Sequence, residues 1–383
     1  MITGPSAGVP EALAADLGIT VPRAGEGLAA AFREAALPAA TRSAYAADWA
    51  RFIGWAAQAG LTSLPADPAV VGEYLAEAAS VINERGVWVY APSTLARWTA
   101  GINAVHRAAG YPSPGADPAV AAVLRGIRAT RAQPPRRVKP LRLTQLTVVL
   151  QQIDTVTWPG AVIGRRDHAL LLAGFAGALR RSELAHQEIR DVAIEDDGTV
   201  TLRLRRSKTD QEAAGVTVAY PRGSTPLTCT ACALLAWGEI ILAWQQTGRA
   251  GVLQTLLQDR GGSRRTHRCA SQEVRAVWAE LRATDPAGPV FRPVTKAATI
   301  TERPISGATV AAVVQRRLVA AGIDPAGYAG HSLRAGFVTD AFTNGANAHE
   351  IMRQTRHASP ATIEAYARHY TPLEGNAVTR LGL

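Results

Sequence analysis

Residues that could act together on a phosphate lie near the carboxyl end of the 383-residue chain. His331 and Arg334 are three positions apart, so they share one face if this segment is helical. Ser359 and Pro360 are typical of an N-cap and a first helical position, which puts Tyr366 on a further helix. A guanidinium suits phosphate oxygens, an imidazole can move a proton near neutral pH, and a phenol can form a covalent intermediate. This combination suits nucleophilic attack on a phosphodiester.

The spacing of these residues is more specific than their types. His331-x-x-Arg334, then His357, then Tyr366 nine residues later, resembles the carboxy-terminal signature of the tyrosine recombinase (phage integrase) family. The resemblance runs from about residue 27 to the end of the chain. Tyr370 lies one turn after Tyr366, so helical periodicity cannot choose between these tyrosines. The nine-residue step from His357 favours Tyr366 as the nucleophile.

Two further segments match the pattern of that family. In the run Leu179-Arg180-Arg181-Ser182-Glu183-Leu184, the family's first catalytic arginine corresponds to Arg180, and Glu183 is placed to orient it. Lys208 lies in a turn between two strand-like segments, where a lysine is usually only solvated, but the family carries its hairpin lysine there. The resemblance therefore implies a catalytic set of Arg180, Lys208, His331, Arg334, His357 and Tyr366.

The resemblance also implies roles for these residues. Arg180 and Arg334 would hold the scissile phosphate, and Tyr366 would attack phosphorus to give a 3′-phosphotyrosine. Lys208 would protonate the departing 5′ oxygen, and His331 would assist proton movement at the tyrosine. His357 would donate a hydrogen bond to the phosphate, at a position where one phage member of the family has tryptophan. No ATP, metal or other cofactor would be required.

Periodicity predicts a mainly α-helical chain with a small antiparallel β-sheet. Residues 1–26 read as a flexible tail, and residues 27–130 as a helical DNA core-binding domain with helices over 39–57, 68–79, 93–109 and 117–130. Residues 131–142 form a basic, proline-containing linker. Residues 143–372 form an α+β catalytic domain, in which alternating residues predict strands around 192–194, 200–204 and 216–220. Residues 373–383 form a short docking tail.

Basic and hydroxyl side chains in the amino-terminal half are candidate DNA contacts. Taken singly, each is more often a solvated surface group, but the group resembles the surface that the family places against DNA. Four match the starts of the family's two major-groove helices: Thr41, Arg42, Ser93 and Arg97. Three lie on the linker, where they suit a phosphate backbone: Arg136, Arg137 and Lys139.

The overall composition agrees with a nucleic-acid partner without proving one. The formal net charge is +10, and the isoelectric point is about 10.1. Met1 to Val21 has no basic cluster ahead of an apolar core, so no signal peptide is expected. The apolar run Ala169 to Leu179 is too short to span a bilayer and predicts a buried helix. We expect a cytoplasmic, nucleoid-associated protein without a membrane partner.

The three cysteines raise the question of a metal site. Cys229-x-x-Cys232 is a pair with metal-ligand spacing, and His267 lies near Cys269. A single pair without a second well-spaced pair is a poor zinc site, so the sequence favours no metal. The segment from Thr228 to Trp237 is better interpreted as the start of a packed helix.

The sequence of the tail, residues 373–383, predicts that the chain forms an oligomer. Its segment from Gly375 to Leu381 is similar to the ending of a phage recombinase of the family, and Ala377, Val378 and Leu381 give a short apolar face. The resemblance implies a homotetramer on double-stranded DNA with an inverted-repeat recombination site, each tail docking into a neighbouring subunit.

Two other functions share parts of this pattern. A type IB topoisomerase uses the same catalytic set, and a catalytically idle DNA-binding regulator would keep only the fold. The intact set argues against the regulator, and the helical domain, hairpin and tail argue against the topoisomerase. The role of residues 245–288, which depart from the family pattern, stays open, as do the DNA sequence, the direction of recombination and any accessory proteins.

Overall fold

The structure is a computed structural model that describes residues 37–131, 137–205, 215–259, 266–357, 359–360, 363 and 381. The chain divides into two compact units, Met1–Pro135 and Arg136–Leu383. Among the described residues, none of the helices has the length and apolar character needed to cross a membrane.

The described part of the first unit is helical. Its helices are α1 (Ala39–Gln58), α2 (Pro68–Ser80), α3 (Pro92–Ala108) and α4 (Pro118–Thr130). The Asp67 and Asp117 carboxylates each accept a backbone N–H at 2.8 Å at the starts of α2 and α4, and each is followed by a proline. The four helices lie within one residue of the predicted ranges, which confirms the periodicity that predicted them.

Aromatic side chains form the core of this unit. The Tyr74 ring lies 5.2 Å from that of Phe52 and 5.6 Å from that of Trp98, centroid to centroid, and all three are buried. Such contacts contribute about 0.5–1.5 kcal/mol per pair beyond the area they bury. The aromatic residues at helical spacing are therefore core residues, as the sequence predicted.

The second unit combines helices with one small sheet. Its described helices are α5 (Leu143–Gln151), α6 (Gly160–Ala176), α7 (Arg181–Ala185), α8 (Thr230–Asp259), α9 (Gln272–Thr284), α10 (Gly307–Ala320), α11 (Ser332–Thr343) and α12 (Ala348–Thr355). The strands are β1 (Val192–Ile194), β2 (Val200–Leu204) and β3 (Val216–Tyr220), paired antiparallel in the order β1-β2-β3. Leu202 pairs with Val192 on one side and Val218 on the other. The predicted fold class is confirmed.

Helix α6 runs through the middle of the second unit. Ala169 to Ala173 are buried without interruption, as expected for the apolar run that predicted a buried helix. The buried Asp167 carboxylate of α6 accepts hydrogen bonds at 2.8 Å from Arg316 and Arg317, which ties α6 to α10. A carboxylate with this burial requires such partners. These ion pairs fix the position of α6 relative to α10.

Most of the described part of residues 245–288, here called the insertion, is packed helix. Helix α8 continues past a kink at Gly248, and its far half buries Val252 and Leu256. Helix α9 packs against α8, and the Trp278 indole N–H donates to the Val192 carbonyl of β1 at 3.0 Å. Most of residues 245–288 therefore extend the core of the second unit.

Candidate functional site

Arg180 lies at the turn between α6 and α7. Ala178, two residues earlier, has a positive φ of 44°, which turns the chain sharply after α6. Arg180 is the N-cap of α7, and its backbone N–H donates to Glu183 Oε2 at 2.8 Å. Its side chain donates from Nη1 to Glu183 Oε1 at 2.6 Å. Glu183 thus holds both the backbone and the guanidinium of Arg180.

His331 and Arg334 lie at the start of α11. His331 is its N-cap, and Arg334 lies within the first turn with its side chain 1% exposed. Arg334 Nη1 donates to the Ala178 carbonyl at 2.7 Å, at the turn that carries Arg180. The strained turn and the start of α11 are thereby joined by one buried arginine.

The extended segment before α5 holds this end of α11 in place. The Leu141 N–H donates to the Ser332 carbonyl at 2.9 Å, and the Leu141 side chain is fully buried. Gly336 faces this segment so closely that a Cβ atom there would lie 1.9 Å from the Leu141 carbonyl oxygen. Only glycine permits that approach of two backbones. The start of α11 is therefore packed directly against the end of the predicted linker.

Arg356 and His357 follow α12. Arg356 is the C-cap of that helix in the left-handed conformation, with φ 59° and ψ 40°. Its guanidinium donates to Glu183 Oε2 at 2.8 Å, and its carbonyl accepts from Arg180 Nη2 at 3.4 Å. His357 Nδ1 lies 2.8 Å from the Thr355 hydroxyl. Arg356 was not assigned a role from the sequence, and its place directly before His357 was the available signal.

The electrostatics of the site keep both imidazoles neutral. Burial, with the positive charges of Arg334 and Arg180, lowers the pKa of His331 to about 4. Burial and the same two arginines lower the pKa of His357 to about 3. Burial raises the pKa of Glu183, but the Arg356 charge and hydrogen bonds from Arg180 outweigh it and hold that pKa below its usual range. The site therefore combines cationic guanidinium groups with neutral imidazoles.

Such a site can bind an anion and move a proton at the same time. Guanidinium groups supply parallel donors to the oxygens of a phosphate. A neutral imidazole can accept a proton through one nitrogen and donate a hydrogen bond through the other. An incoming phosphate would offset part of the positive charge that lowers both histidine pKa values.

The structure brings Arg180, Glu183, His331, Arg334 and His357 together from three separate segments. The remaining predicted catalytic residues, Lys208 and Tyr366, lie outside the described residues. Lys208 belongs to the segment between β2 and β3, and Tyr366 follows Ile363. The competing Tyr370 also lies outside them, as do residues 1–26 and most of residues 373–383.

The candidate DNA contacts have varied surroundings. Thr41 and Arg42 lie in the first turn of α1, and Ser93 and Arg97 near the start of α3, where Ser93 and Arg97 are exposed. Arg97 also pairs with the buried Asp48 carboxylate at 2.6 Å. This pair links α3 to α1 within the first unit.

The predicted linker is partly fixed to the second unit. Lys139 is exposed, yet its N–H donates to the Gly327 carbonyl at 2.8 Å and its ammonium lies 5.7 Å from the Tyr328 ring centre. Arg137 is exposed, and Arg136 lies outside the described residues. The stretch from Lys139 onward therefore contributes to the packing of the second unit.

The cysteines are closer together than their sequence positions suggest. Cys229 and Cys232 flank the start of α8, and His267 and Cys269 lie ahead of α9. The ligand atoms of these four residues all lie within 4.8 Å of one another. The sequence contains no second Cys-x-x-Cys pair, so this grouping could not be predicted from spacing.

Two known proteins with similar sequences are both named as recombinases. No family model matches the chain. The integrase/recombinase XerD homologue of Selenomonas ruminantium is 29% identical over 344 residues, covering 89% of this chain and 85% of that protein. Recombinase Cre of Escherichia phage P1 is 28% identical over 176 residues, covering 45% of this chain and 49% of Cre.

A solved structure supplies the comparison of folds. The XerH site-specific recombinase, bound to a palindromic difH substrate in a post-cleavage complex, matches 88% of this chain and 79% of that chain. The TM-score is 0.50 and the sequence identity 15%, so this likeness concerns the fold alone. The sequence relatives and the shared fold agree with the signature formed by Arg180, His331, Arg334 and His357. The chain is similar in sequence to an integrase/recombinase and to Cre, and in fold to a site-specific recombinase, which confirms the resemblance to tyrosine recombinases.

Proposed function

We propose that the chain is a site-specific recombinase that cuts and rejoins duplex DNA through a 3′-phosphotyrosine intermediate. The observation that carries this proposal is the convergence of Arg180 and Arg334 with two neutral imidazoles at the turn after α6. The integrase and recombinase names of the sequence relatives support the same activity.

The two arginines bind the phosphate. Arg180 and Arg334 each reach a nonbridging oxygen of the scissile phosphate and stabilise the charge that develops there during attack. Glu183 and the Ala178 carbonyl hold these guanidinium groups before DNA arrives. Because the donors are already in position, little reorganisation is needed at the moment of reaction.

Tyr366 is the nucleophile, and the proton transfers balance around it. The phenol oxygen forms a bond to phosphorus while the bond to the 5′ oxygen breaks. His331, which its lowered pKa keeps neutral, takes the phenol proton once the phosphate has offset the arginine charges that weaken it as a base, and Lys208 gives a proton to the departing 5′ oxygen. The reverse steps, with a 5′ hydroxyl from another strand, rejoin the DNA and restore the tyrosine. One phosphate ester replaces another, so no ATP is consumed.

His357 completes the phosphate site as a donor. When the Thr355 hydroxyl donates to Nδ1 of His357 across their 2.8 Å contact, the proton of the neutral ring lies on Nε2. That N–H can donate to a phosphate oxygen. The lowered pKa of His357 fits this role because a hydrogen bond, unlike a proton transfer, requires no change of charge.

The working form is a homotetramer on double-stranded DNA with an inverted-repeat site, in the cytoplasm and associated with the nucleoid. The net charge of +10 favours a polyanionic partner. The tail from residue 373 to residue 383 docks into a neighbouring subunit in a closed ring.

A covalent adduct tests the proposal. DNA ligands are first selected from a library of duplexes with random inverted repeats, and a nicked suicide duplex is then built from the selected sequence. We expect a protein–DNA adduct that survives denaturation and maps to Tyr366. Tyr366→Phe should abolish the adduct and keep DNA binding, and Tyr370→Phe is the matched control. Loss of the adduct in Tyr370→Phe alone would overturn the assignment of the nucleophile.

The same material separates the alternatives. A regulator binds the selected duplex but forms no adduct, whereas a type IB topoisomerase forms an adduct and relaxes supercoiled plasmid without exchanging strands. Exchange between two plasmid-borne sites is the result expected for a recombinase. Adduct formation without exchange would favour the topoisomerase.

A further inference from the structure

Four potential metal ligands meet beside the start of α8. This cysteine–histidine cluster consists of Cys229, Cys232, His267 and Cys269. Cys229 and Cys269 are fully buried, Cys232 is 5% exposed, and His267 is partly buried. None of these residues belongs to the site around Arg180. We propose that the cluster binds one structural zinc ion in the second unit.

The distances between the ligand atoms fit a tetrahedron. Cys229 Sγ lies 3.9 Å from Cys269 Sγ, while Nδ1 of His267 lies 3.6 Å from Cys232 Sγ and 4.0 Å from Cys269 Sγ. Zinc bonds of about 2.3 Å to sulfur and about 2.0 Å to nitrogen place ligand atoms about 3.8 Å (sulfur to sulfur) and about 3.6 Å (sulfur to nitrogen) apart. These three distances therefore lie close to the edges of a four-coordinate site, and all four ligand atoms lie within 4.8 Å of one another.

The ligand types select the metal class. Three thiols and one imidazole are a ligand set used by structural zinc sites, with all four positions taken by protein. A closed site of this kind leaves no position for a substrate or a reactive water. The ion would therefore stabilise the fold and take no part in the chemistry at Tyr366.

The two halves of the cluster are also held together without metal. Arg268, which lies between the two ligands ahead of α9, donates from Nη2 to Glu239 Oε1 of α8 at 2.6 Å. This contact brings the segment of His267 and Cys269 back against the start of α8. The ligands are therefore positioned before an ion binds, which lowers the entropic cost of binding it.

The cluster lies where the insertion meets the sheet. Gly198, in the turn between β1 and β2, faces Cys269 so closely that a Cβ atom there would lie 2.8 Å from its sulfur. The ion would therefore join the start of α8 to the segment ahead of α9, against the turn between β1 and β2. This gives residues 245–288 a structural role, and it replaces the expectation from the sequence that the cysteines bind no metal.

Metal content and a spectrum test the inference. The full chain is purified under reducing conditions without chelator, and its zinc content is measured by inductively coupled plasma mass spectrometry. We expect about one zinc per chain, and less than about 0.2 in Cys232→Ser and in His267→Ala. His349→Ala, which changes an exposed histidine outside the cluster, is the matched control and should keep about one zinc. Equal zinc in wild type and Cys232→Ser would overturn the proposal.

Cobalt provides a readout that does not depend on the folding of variants. Replacing zinc by Co²⁺ in the wild-type chain should give the strong visible bands of a tetrahedral ion and a sulfur-to-cobalt charge-transfer band. Weak absorption typical of octahedral cobalt would overturn the site. A disulfide between Cys229 and Cys269 in the freshly purified protein, detected by peptide mass spectrometry under non-reducing conditions, would also overturn the proposed zinc site.

Thermal unfolding measures the structural role. Chelation should lower the Tm of the wild-type chain by roughly 5 °C or more, since each 1 kcal/mol shifts the Tm of a unit this large by about 2–4 °C. Chelator should leave the Tm of Cys232→Ser unchanged. An equal chelator effect on both proteins would mean that the stabilising metal lies elsewhere.

Discussion

The Arg356 guanidinium donates to the Glu183 carboxylate at 2.8 Å, across 173 positions of sequence. The other oxygen of Glu183 accepts from Arg180 at 2.6 Å. One buried carboxylate therefore holds two arginines that are far apart in the sequence of the second unit. The position of Arg180 depends in part on this carboxylate.

Replacing Glu183 should affect both stability and cleavage. Glu183→Gln removes the charge from a buried pair, so it should lower the free energy of unfolding by about 3 kcal/mol. It should also slow single-turnover cleavage by roughly 10- to 100-fold, since a hydrogen bond to a charged group contributes about 1.5–3 kcal/mol. Urea unfolding and cleavage of the suicide duplex measure the two effects.

A double-mutant cycle separates this contact from general damage. Glu183→Gln combined with Arg356→Gln should cost less than the sum of the single changes, with a coupling of about 1–3 kcal/mol. Glu188→Gln, at a more exposed carboxylate paired with Arg190 and Arg205, is the matched control and should cost less than about 1 kcal/mol. Strict additivity would show that Glu183 and Arg356 act independently.

Lys208 should act on the leaving group. Lys208→Ala should slow cleavage far more than it weakens binding, because the 5′ oxygen then leaves without a proton. A duplex with sulfur in place of the bridging 5′ oxygen should largely restore the rate, since a thiolate is a better leaving group. Arg203→Ala, on β2, is a control that should show no selective rescue. An equal defect of Lys208→Ala on both duplexes would remove Lys208 from this role.

The basic linker should contribute to the salt dependence of binding. Neutralising Arg136 and Arg137 together should flatten the slope of log affinity against log salt by about two units if both contact phosphate. Affinity for the selected duplex, measured across several salt concentrations, gives the slope. Neutralising Arg282, at the end of α9, is a control that should leave it unchanged. An unaltered slope in the linker variant would make this stretch a spacer.

The two histidines should make stability fall in acid. Their pKa values in the folded chain, about 4 for His331 and about 3 for His357, lie below the ordinary value of 6.5. As the pH falls below about 6.5, the unfolded chain therefore takes up protons that the folded chain does not. The free energy of unfolding should fall between about pH 6.5 and about pH 4, by less than about 1.4 kcal/mol per pH unit for each histidine because solvent screens part of the effect.

Urea unfolding at several pH values checks this sign. The double variant His331→Gln and His357→Gln should lose less stability over that pH range than wild type. His186→Gln, at an exposed histidine on the C-cap of α7, is the control and should follow wild type. If the double variant shows the same acid sensitivity as wild type, other groups account for it.

The tail should control assembly. Deleting residues 374–383 should leave a protein that binds a single site but does not pair two sites, since the predicted apolar face of the tail could no longer dock into a neighbouring subunit. Leu381, the described residue of this tail, has an exposed side chain. Mobility shifts and light scattering on one-site and two-site DNA would measure assembly, with Leu381→Asp as a milder variant. Tetramers and strand exchange at the full-length rate would show that the tail is not the connector.

The sequence alone determined the elements and most of the candidate site. The helices of the first unit and the strands follow local rules, because apolar periodicity, aspartate caps and prolines act within a few residues. The motif spacing selected Arg180, His331, Arg334 and His357 because those residues lie in short local patterns. Lys208 and Tyr366 remain predictions of the same kind.

Only the tertiary structure decided which distant groups meet. The pairing of Glu183 with Arg356, the approach of Gly336 to Leu141, and the meeting of Cys229 with Cys269 each join segments that no local pattern connects. The same is true of the neutral state of His331, since its lowered pKa arises from burial and from the charges of Arg334 and Arg180. Burial and charge depend on the packing of the whole unit, so spacing along the chain cannot predict them.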